Sequence, residues 1–563
     1  MNKKQFSRLS FMLFFFWMAL MLNAQNNNFE ISKNLDIFTT LFKELNVNYV
    51  DDISAGDLME SGIEAMLEDL DPYTVYIPES RVEDYKLITT GQYGGIGSLI
   101  HKQGDYVVIS EPYENYPAQK SGLKAGDMIT AINGESAKGK NSDEVSEILK
   151  GQPGTSISIT IQRPGEEETR TFDIAREKIT IDNIPYFGIV DENIGYIKLT
   201  GFTQTAGNDV RKALQELEQS QELKGLILDL RGNGGGLLQE AVNVTNIFID
   251  KGELVVSTKG KLPDKNQEHR TRFAPVDKDI PLVVLVNRAS ASASEIVAGA
   301  IQDLDRGVII GQRTFGKGLV QNVIPLSYNS QAKITVAKYY IPSGRCIQAI
   351  DYSHKDGNGD YGKIPDSLIN EFKTANGRLV YDGGGIVPDV KLKAQKFTDI
   401  ANSLYTKFII FNFATEYASR HPEIENPENY ELSDAVFDEF REYIKDKDYE
   451  YTTASEKLLT DLKKAAEKDN YFDAIKEQYE ELEAALKHNK DEDLLTHRDQ
   501  VEELLRVEIV SRYYYQKGKI ISALKNDPEL SEAVAVLKDQ AKYKSILDGT
   551  FKPEDIALDN EEE

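Results

Sequence analysis

A multidomain α/β protein is predicted, and three observations predict it. At 563 residues the chain is too long for one hydrophobic core, so three or four domains are expected. Short β-rich runs separated by glycines give way to continuous apolar runs alternating with helical patterns, the mark of strands buried on both faces. From about residue 397 onward the composition turns acidic, rich in Lys and Glu and almost free of glycine, which suits an all-helical region. Hydrophobic content of 40% and charged content of 28% are those of a folded protein. A net charge of −27 repels phosphate backbones and acidic lipid, which argues against nucleic acid as a partner.

In chain order, Lys3, Lys4 and Arg8 precede an apolar run from Phe11 to Leu22, and Ala24 follows as the small residue before a cut. This is the order of a secretory signal peptide over residues 1–24. The run falls short of the ~20 residues that span a bilayer, so cleavage is expected in preference to anchoring, with export to the periplasm or cell envelope. Cys346 is the only cysteine, which rules out an intrachain disulfide. Residues 25–87 read as helical, with stripes at Leu35, Phe38, Phe42 and Leu45, then at Met59, Ile63, Met66, Leu67 and Leu70. Asp71-Pro72 ends the second helix. Residues 88–178 hold strands at Tyr106–Ser110, Met128–Ile132 and Ser156–Gln162, with a short helix over Asp143–Lys150. The α/β region, 179–396, carries buried strands at Leu226–Leu230, Leu282–Val286 and Val308–Ile310, and an insertion over 351–383. Residues 397–563 carry apolar stripes at Ile475, Tyr479, Leu482 and Leu486, and at Val501, Leu504, Leu505 and Ile509.

Chemistry concentrates in two stretches of the α/β region, VNRASASASEIVAGAIQD (Val286 to Asp303) and GQRTFGKGLVQ (Gly311 to Gln321). Ser292 and Glu295 have capping-box spacing at the start of an apolar helix, whose free N–H groups can also face a developing oxyanion. No G-x-S-x-G surrounds Ser292, so it is not a nucleophile elbow of the α/β-hydrolase kind. Lys317 is the nearest plausible base, provided burial keeps its amine neutral. Gly311 to Lys317 also matches the first seven positions of a P-loop, but Gly318 stands where the magnesium-binding hydroxyl belongs and a strand follows instead of a helix. Gln321 lies four residues beyond Lys317, on the same face if the segment is a strand. In LDLRGNGGGLL, a strand runs into a glycine-rich loop able to turn a backbone N–H toward a bound oxygen. No pair of the six histidines has zinc spacing, and sequence distance alone does not remove His269 as a base. Asp356, Asn358 and Asp360 imitate a calcium loop whose glycine and glutamate positions are Tyr361 and Ser367, so no metal is expected.

Together these stretches closely resemble the C-terminal processing (tail-specific) serine peptidases. YVDDIS…LDPYTVYIP before the β-rich module, SGLKAGDMITAING and LKGQPGTSISITIQRPG within it, and the flanks YYIPSGRCIQ and GGGIVPDV extend the likeness over roughly residues 30–395. The resemblance implies a PDZ domain at 88–178, a peptidase core of the ClpP/crotonase-like kind, and a Ser292–Lys317 dyad with Gln321 beside it. It also implies an oxyanion hole from the amides of Ala293 and of Gly235 or Gly236, and a structural role for Asp303. Gly232 and Gly234 replace an asparagine and a proline of the family pattern, which leaves the exact donor open. In the PDZ module the implied carboxylate-binding loop is Gly95-Ile96-Gly97, which would seat a chain terminus while the peptide adds as a strand. The implied activity is a cofactor-free exported endopeptidase acting on proteins with exposed apolar C-terminal tails. The rival reading is a non-catalytic PDZ scaffold or a partner-activated pseudo-peptidase of the envelope. The apolar stripes of the last region are compatible with an envelope adaptor protein or a homo-oligomer.

Overall fold

The computed structural model describes residues 28–355, 361–486 and 490–551. The expected signal peptide, the calcium-loop imitation at 356–360 and the acidic run Glu561–Glu563 lie outside these residues. The chain forms two compact units, one ending at Tyr76 and one starting at Ile77.

The first unit holds a helix over 28–48 and a second, Ala55–Glu68, as its two stripes predict. Ser54 caps the second helix by accepting from the Asp57 N–H. The Asp71 carboxylate then folds the chain back by accepting from the N–H groups of Tyr73 and Thr74. The predicted stripes remain open to solvent: Leu35 and Phe38 are exposed, and Ala55–Glu68 contains no buried residue.

The second unit begins its β-rich module with an antiparallel sheet in the order Ser98–Gln103, Tyr106–Pro112, Met128–Ile132, Ser156–Gln162, Arg170–Ala175. The strands agree with the sequence reading, and the helix spans Ser142–Leu149, fixed by a reciprocal box between Asn141 and Glu144. Alternate residues Ile157, Ile159 and Ile161 point into one core with Val107, Ile109, Val145 and Leu149.

The α/β region is built on a six-stranded sheet ordered Tyr186–Asp191, Ile194–Lys198, Gly225–Asp229, Leu282–Val286, Val308–Gly311, Val390–Lys391. Only the first pair is antiparallel. Helices Ala206–Ser220, Leu238–Thr245 and Ala293–Asp303 cover one face through Leu226, Leu228, Leu282, Val284 and Val286. Helices Pro528–Lys538 and Gln540–Leu547 cover the other through Ile227, Val283, Leu285, Val308 and Ile310. Burial on both sides is why these strands read as unbroken apolar runs. A second, antiparallel sheet includes Gln267–Arg270, Leu254–Gly260, Gln331–Tyr340 and Leu319–Pro325, in that order. GGGIVPDV supplies the last strand of the main sheet, and the insertion forms two small hairpins, Ile350–Lys355 with Tyr361–Lys363 and Glu371–Lys373 with Leu379–Tyr381.

The acidic region therefore does two jobs. Its helices from Asp399–Thr406 to Arg498–Leu524 build their own core around Phe413, Phe437, Phe440, Val501, Leu505 and Ile509. Its last helices instead cover the six-stranded sheet, where the Tyr543 hydroxyl accepts from the Leu282 N–H at 2.9 Å. The helical core also packs on the PDZ-like module: His101 stacks on Phe408 at 4.2 Å between ring centroids, and Gln119 Nε2 donates to the Tyr515 hydroxyl at 2.9 Å. Tyr515 sits at a kink inside Arg498–Leu524, with φ 52°.

Candidate active site

Ser292 stands where strand Leu282–Val286 passes through a tight turn into helix Ala293–Asp303. The small residues of the turn permit a dense set of ties to the neighbouring glycine loop. Ser290 Oγ donates to the Leu230 carbonyl at 2.9 Å, Ser294 Oγ to the Asn233 carbonyl at 2.8 Å, and the Ala291 N–H to the same carbonyl at 3.0 Å. These bonds hold Ser292 at φ 56°, a left-handed conformation that costs a non-glycine residue on the order of 1 kcal/mol or more.

Glu295 proves to be more than a cap. Its fully buried carboxylate accepts from the N–H of Ser292 at 2.8 Å, of Lys317 at 2.9 Å and of Gly316 at 2.7 Å, and from Thr314 Oγ1 at 2.6 Å. Burial raises its pKa to about 7, against the lowering effect of those four donors. Tyr339, also buried, reaches the same two residues from their carbonyl side: its hydroxyl lies 3.2 Å from the Ser292 oxygen and 2.5 Å from the Lys317 oxygen. One carboxylate and one hydroxyl thus bring together the backbones of Ser292 and Lys317, which the sequence separates. Neither bridge is legible in the sequence, where Glu295 shows only as half of a capping box and Tyr339 only as part of the YYIPSGRCIQ flank.

Lys317 is half-buried, between glycines that cannot be replaced without collision. A Cβ on Gly316 would lie 2.4 Å from the Ala349 Cβ, and one on Gly318 would lie 2.8 Å from the Gln348 nitrogen. Gln321 departs from its expected placement. Strand Leu319–Pro325 starts only after Lys317 and carries a bulge between Val320 and Gln321, so four-residue spacing no longer means one strand face. The Gln321 amide instead donates to Thr335 Oγ1 at 3.2 Å.

The glycine loop separates the candidate oxyanion donors into engaged and open amides. The Gly235 N–H donates to Asn233 Oδ1 at 2.9 Å, and is thereby engaged. Gly235 serves by closeness, because a Cβ there would meet the Ala291 oxygen at 2.7 Å and the Ser292 Cβ at 2.9 Å. The amides of Gly236 and Ala293 have no acceptor among the described residues. Beneath the loop, Asp229 is buried; burial works against its charge, but Lys198 and Arg231 outweigh it and hold the carboxyl well below the usual carboxylate range.

Asp303 is paired with Arg345 at 2.8 Å and accepts from the Ser343 N–H at 2.9 Å. His269 lies on strand Gln267–Arg270 opposite Val256, and no hydrogen bond among the described residues joins it to Ser292. No group of His, Cys, Asp or Glu with metal-site geometry occurs among the described residues.

In the β-rich module, Gly95 ends a short strand, Ile96 is buried, and Gly97 turns at φ 73° against the Tyr116 ring. The carbonyls of Ile96 and Gly97 accept from Ala118 and Tyr113, while their N–H groups have no acceptor among the described residues. The strand that follows, Ser98–Gln103, is an edge strand with helix Ser142–Leu149 beside it. An open edge next to free amides is the arrangement that accepts an added peptide strand.

Comparison with known proteins agrees with this order of domains. Residues 193–354 match the profile of peptidase family S41, residues 108–163 that of a PDZ domain, and residues 400–537 that of a probable PDZ-protease C-terminal helical domain. A carboxy-terminal-processing protease of Bartonella bacilliformis is 37% identical over 328 residues, 58% of this chain and 75% of that protein. A probable CtpA-like serine protease of Staphylococcus aureus is 35% identical over 316 residues, 56% of this chain and 62% of that protein. Among solved structures, the photosystem II D1 C-terminal processing protease is 30% identical, with coverage of 63% of this chain and 92% of that one and a TM-score of 0.34.

Proposed function

The chain belongs to peptidase family S41, with the carboxy-terminal-processing serine proteases as its relatives, and from that premise we propose that it is an exported endopeptidase that cuts proteins near their C-terminal tails with a Ser292–Lys317 dyad. The observation that carries the proposal is the double bridge: Glu295 accepts from the N–H of both residues, and Tyr339 reaches the carbonyl of both. A nucleophile and a base held on one rigid frame lose little entropy on reaching the reactive geometry.

In the proposed cycle, the carboxylate of an apolar tail binds the N–H groups of Ile96 and Gly97, and the tail adds along Ser98–Gln103. Ser292 Oγ attacks the scissile carbonyl carbon as the neutral Lys317 amine takes the hydroxyl proton. The amides of Gly236 and Ala293 receive the oxyanion. The Lys317 ammonium then returns its proton to the leaving amine, and water hydrolyses the acyl-enzyme with Lys317 again as base. Gln321 is assigned to orient the amine, in a conformation where it moves off Thr335. The charged, apolar, small-residue order of residues 1–24 supports export to the periplasm or cell envelope.

The test uses the chain from about Gln25, with Ser292→Ala and Lys317→Ala, on an unfolded substrate whose apolar C-terminus is free or amidated. Cleavage is expected to vanish in both variants and to weaken on amidation. Cutting that survives Ser292→Ala in pure protein refutes the nucleophile. A wild type that binds the tail without cutting it supports the scaffold or partner-activated reading instead.

A further inference from the structure

The acidic C-terminal region reaches back to the peptidase site through Asp527 and Glu529, and we infer that Glu529, the one of the two that bonds to both Arg231 and Gln312, is a positioning residue for catalysis. Its carboxylate is buried and uses its two oxygens on two different segments. Arg231 Nη1 donates to Oε2 at 2.6 Å, and Gln312 Nε2 donates to Oε1 at 2.7 Å. Arg231 opens the loop that ends in Gly235 and Gly236, and Gln312 opens the segment that leads to Lys317. Glu529 therefore joins the oxyanion loop to the lysine segment from outside the site, much as Glu295 joins Ser292 to Lys317 from inside.

The joint is rigid at its base. Glu529 lies in the first turn of helix Pro528–Lys538, where Asp527 caps it by accepting from the N–H groups of Glu529 and Leu530 at 2.9 and 3.0 Å. Asp527 also takes Arg231 Nη2 at 2.7 Å, and the helix N-terminus favours both carboxylates. Leu530, Ala533, Val536 and Leu537 fix the helix on the central sheet. A helix seated on the strands that bear the site can hold both segments in register, whereas a loop residue could not.

Glu529 touches no reacting atom, so its effect reads out in the transition state and not in tail capture. The inference rests on the Ser292–Lys317 reading, and the experiment separates the two. Glutamine is uncharged and offers one acceptor oxygen in place of two, so Glu529→Gln loses the charge-assisted bonds to Arg231 and Gln312. Glu529→Gln and Gln312→Ala in the full chain are each expected to lower kcat about tenfold, the scale of one lost hydrogen bond to a charged group, with KM for an apolar-tailed peptide unchanged. Affinity for a peptide aldehyde, which forms the tetrahedral adduct, should fall by the same factor. Tyr543→Phe, which loosens the same helical layer at Leu282, should lower Tm without lowering kcat at temperatures where the fold is intact. Unchanged kcat in Glu529→Gln and Gln312→Ala overturns the inference, as does a loss that Tyr543→Phe reproduces at equal Tm. Cleavage that survives Ser292→Ala overturns the dyad itself, whatever the Glu529 variants do.

Discussion

Glu295 is a carboxylate whose four donors are all uncharged, so dipoles alone oppose the cost of burying it. With its pKa raised to about 7, its side chain is protonated in the folded protein over a range where an unfolded glutamate is ionised. Its contribution to stability is complete below about pH 4.3 and is lost as pH rises toward 7, a change on the order of 3 kcal/mol. Urea midpoints taken from pH 4.5 to 7.5 should therefore slope less steeply downward in Glu295→Gln than in the wild type. Catalysis should run the other way. Only the ionised form accepts from all four donors, so kcat should rise through about pH 7, and Glu295→Gln should be about tenfold or more slower with that component of the profile removed. Gly235→Ala is a steric prediction: at φ 101° and 2.7 Å from the Ala291 oxygen, an added methyl has no room. Activity should fall at least a hundredfold, with a loss of about 1–3 kcal/mol in a denaturation curve.

At the scale of elements, the site is a meeting of four segments: the turn into Ala293–Asp303, the loop after Gly225–Asp229, the stretch before Leu319–Pro325, and strand Gln331–Tyr340, which carries Tyr339. Tyr339→Phe keeps the ring in its packing and removes only the hydroxyl shared by Ser292 and Lys317. It should lower kcat about tenfold at a stability cost of about 1 kcal/mol, measured by steady-state cleavage beside thermal unfolding. Most of these elements are legible in the residue pattern. Met128–Ile132, Ser156–Gln162 and Leu282–Val286 have the predicted bounds, because apolar alternation or continuity reports burial directly. Gln321 leaves its expected face because a bulge is a local change of register that no residue pattern announces.

For the whole molecule, the packing of the helical core on the PDZ domain adds a pH-sensitive contact. His101, on the strand proposed to receive the tail, stacks on Phe408 and meets Phe411 edge-on at 4.9 Å. Burial lowers its pKa, as does Arg512, while a hydrogen bond to Gln103 and the charge of Glu508 partly oppose them. The stability it lends is present above about pH 6.5, the value for an unfolded histidine, and is lost as pH falls through its lower folded value. Protection factors for amide exchange over Ser98–Gln103, taken relative to the intrinsic rate at each pH, should fall between pH 7 and 5.5 in the wild type and not in His101→Phe. An equal fall in both would place the sensitivity elsewhere.

Much of this protein follows from its sequence alone: the order of its regions, the PDZ and peptidase segments, and Ser292 and Lys317 as nucleophile and base candidates. Those features are local, set by periodicity, turn chemistry and short motifs, and they survive reading one residue after another. Tertiary structure alone decided that Glu295 and Tyr339 bridge Ser292 and Lys317, that the Gly235 amide is engaged while Gly236 and Ala293 are open, and that Glu529 reaches Arg231 and Gln312. It also decided that the last helices belong to the catalytic layer. Each of these is a contact between segments far apart in the chain, and such contacts exist only once the sheet has closed and buried the groups that make them.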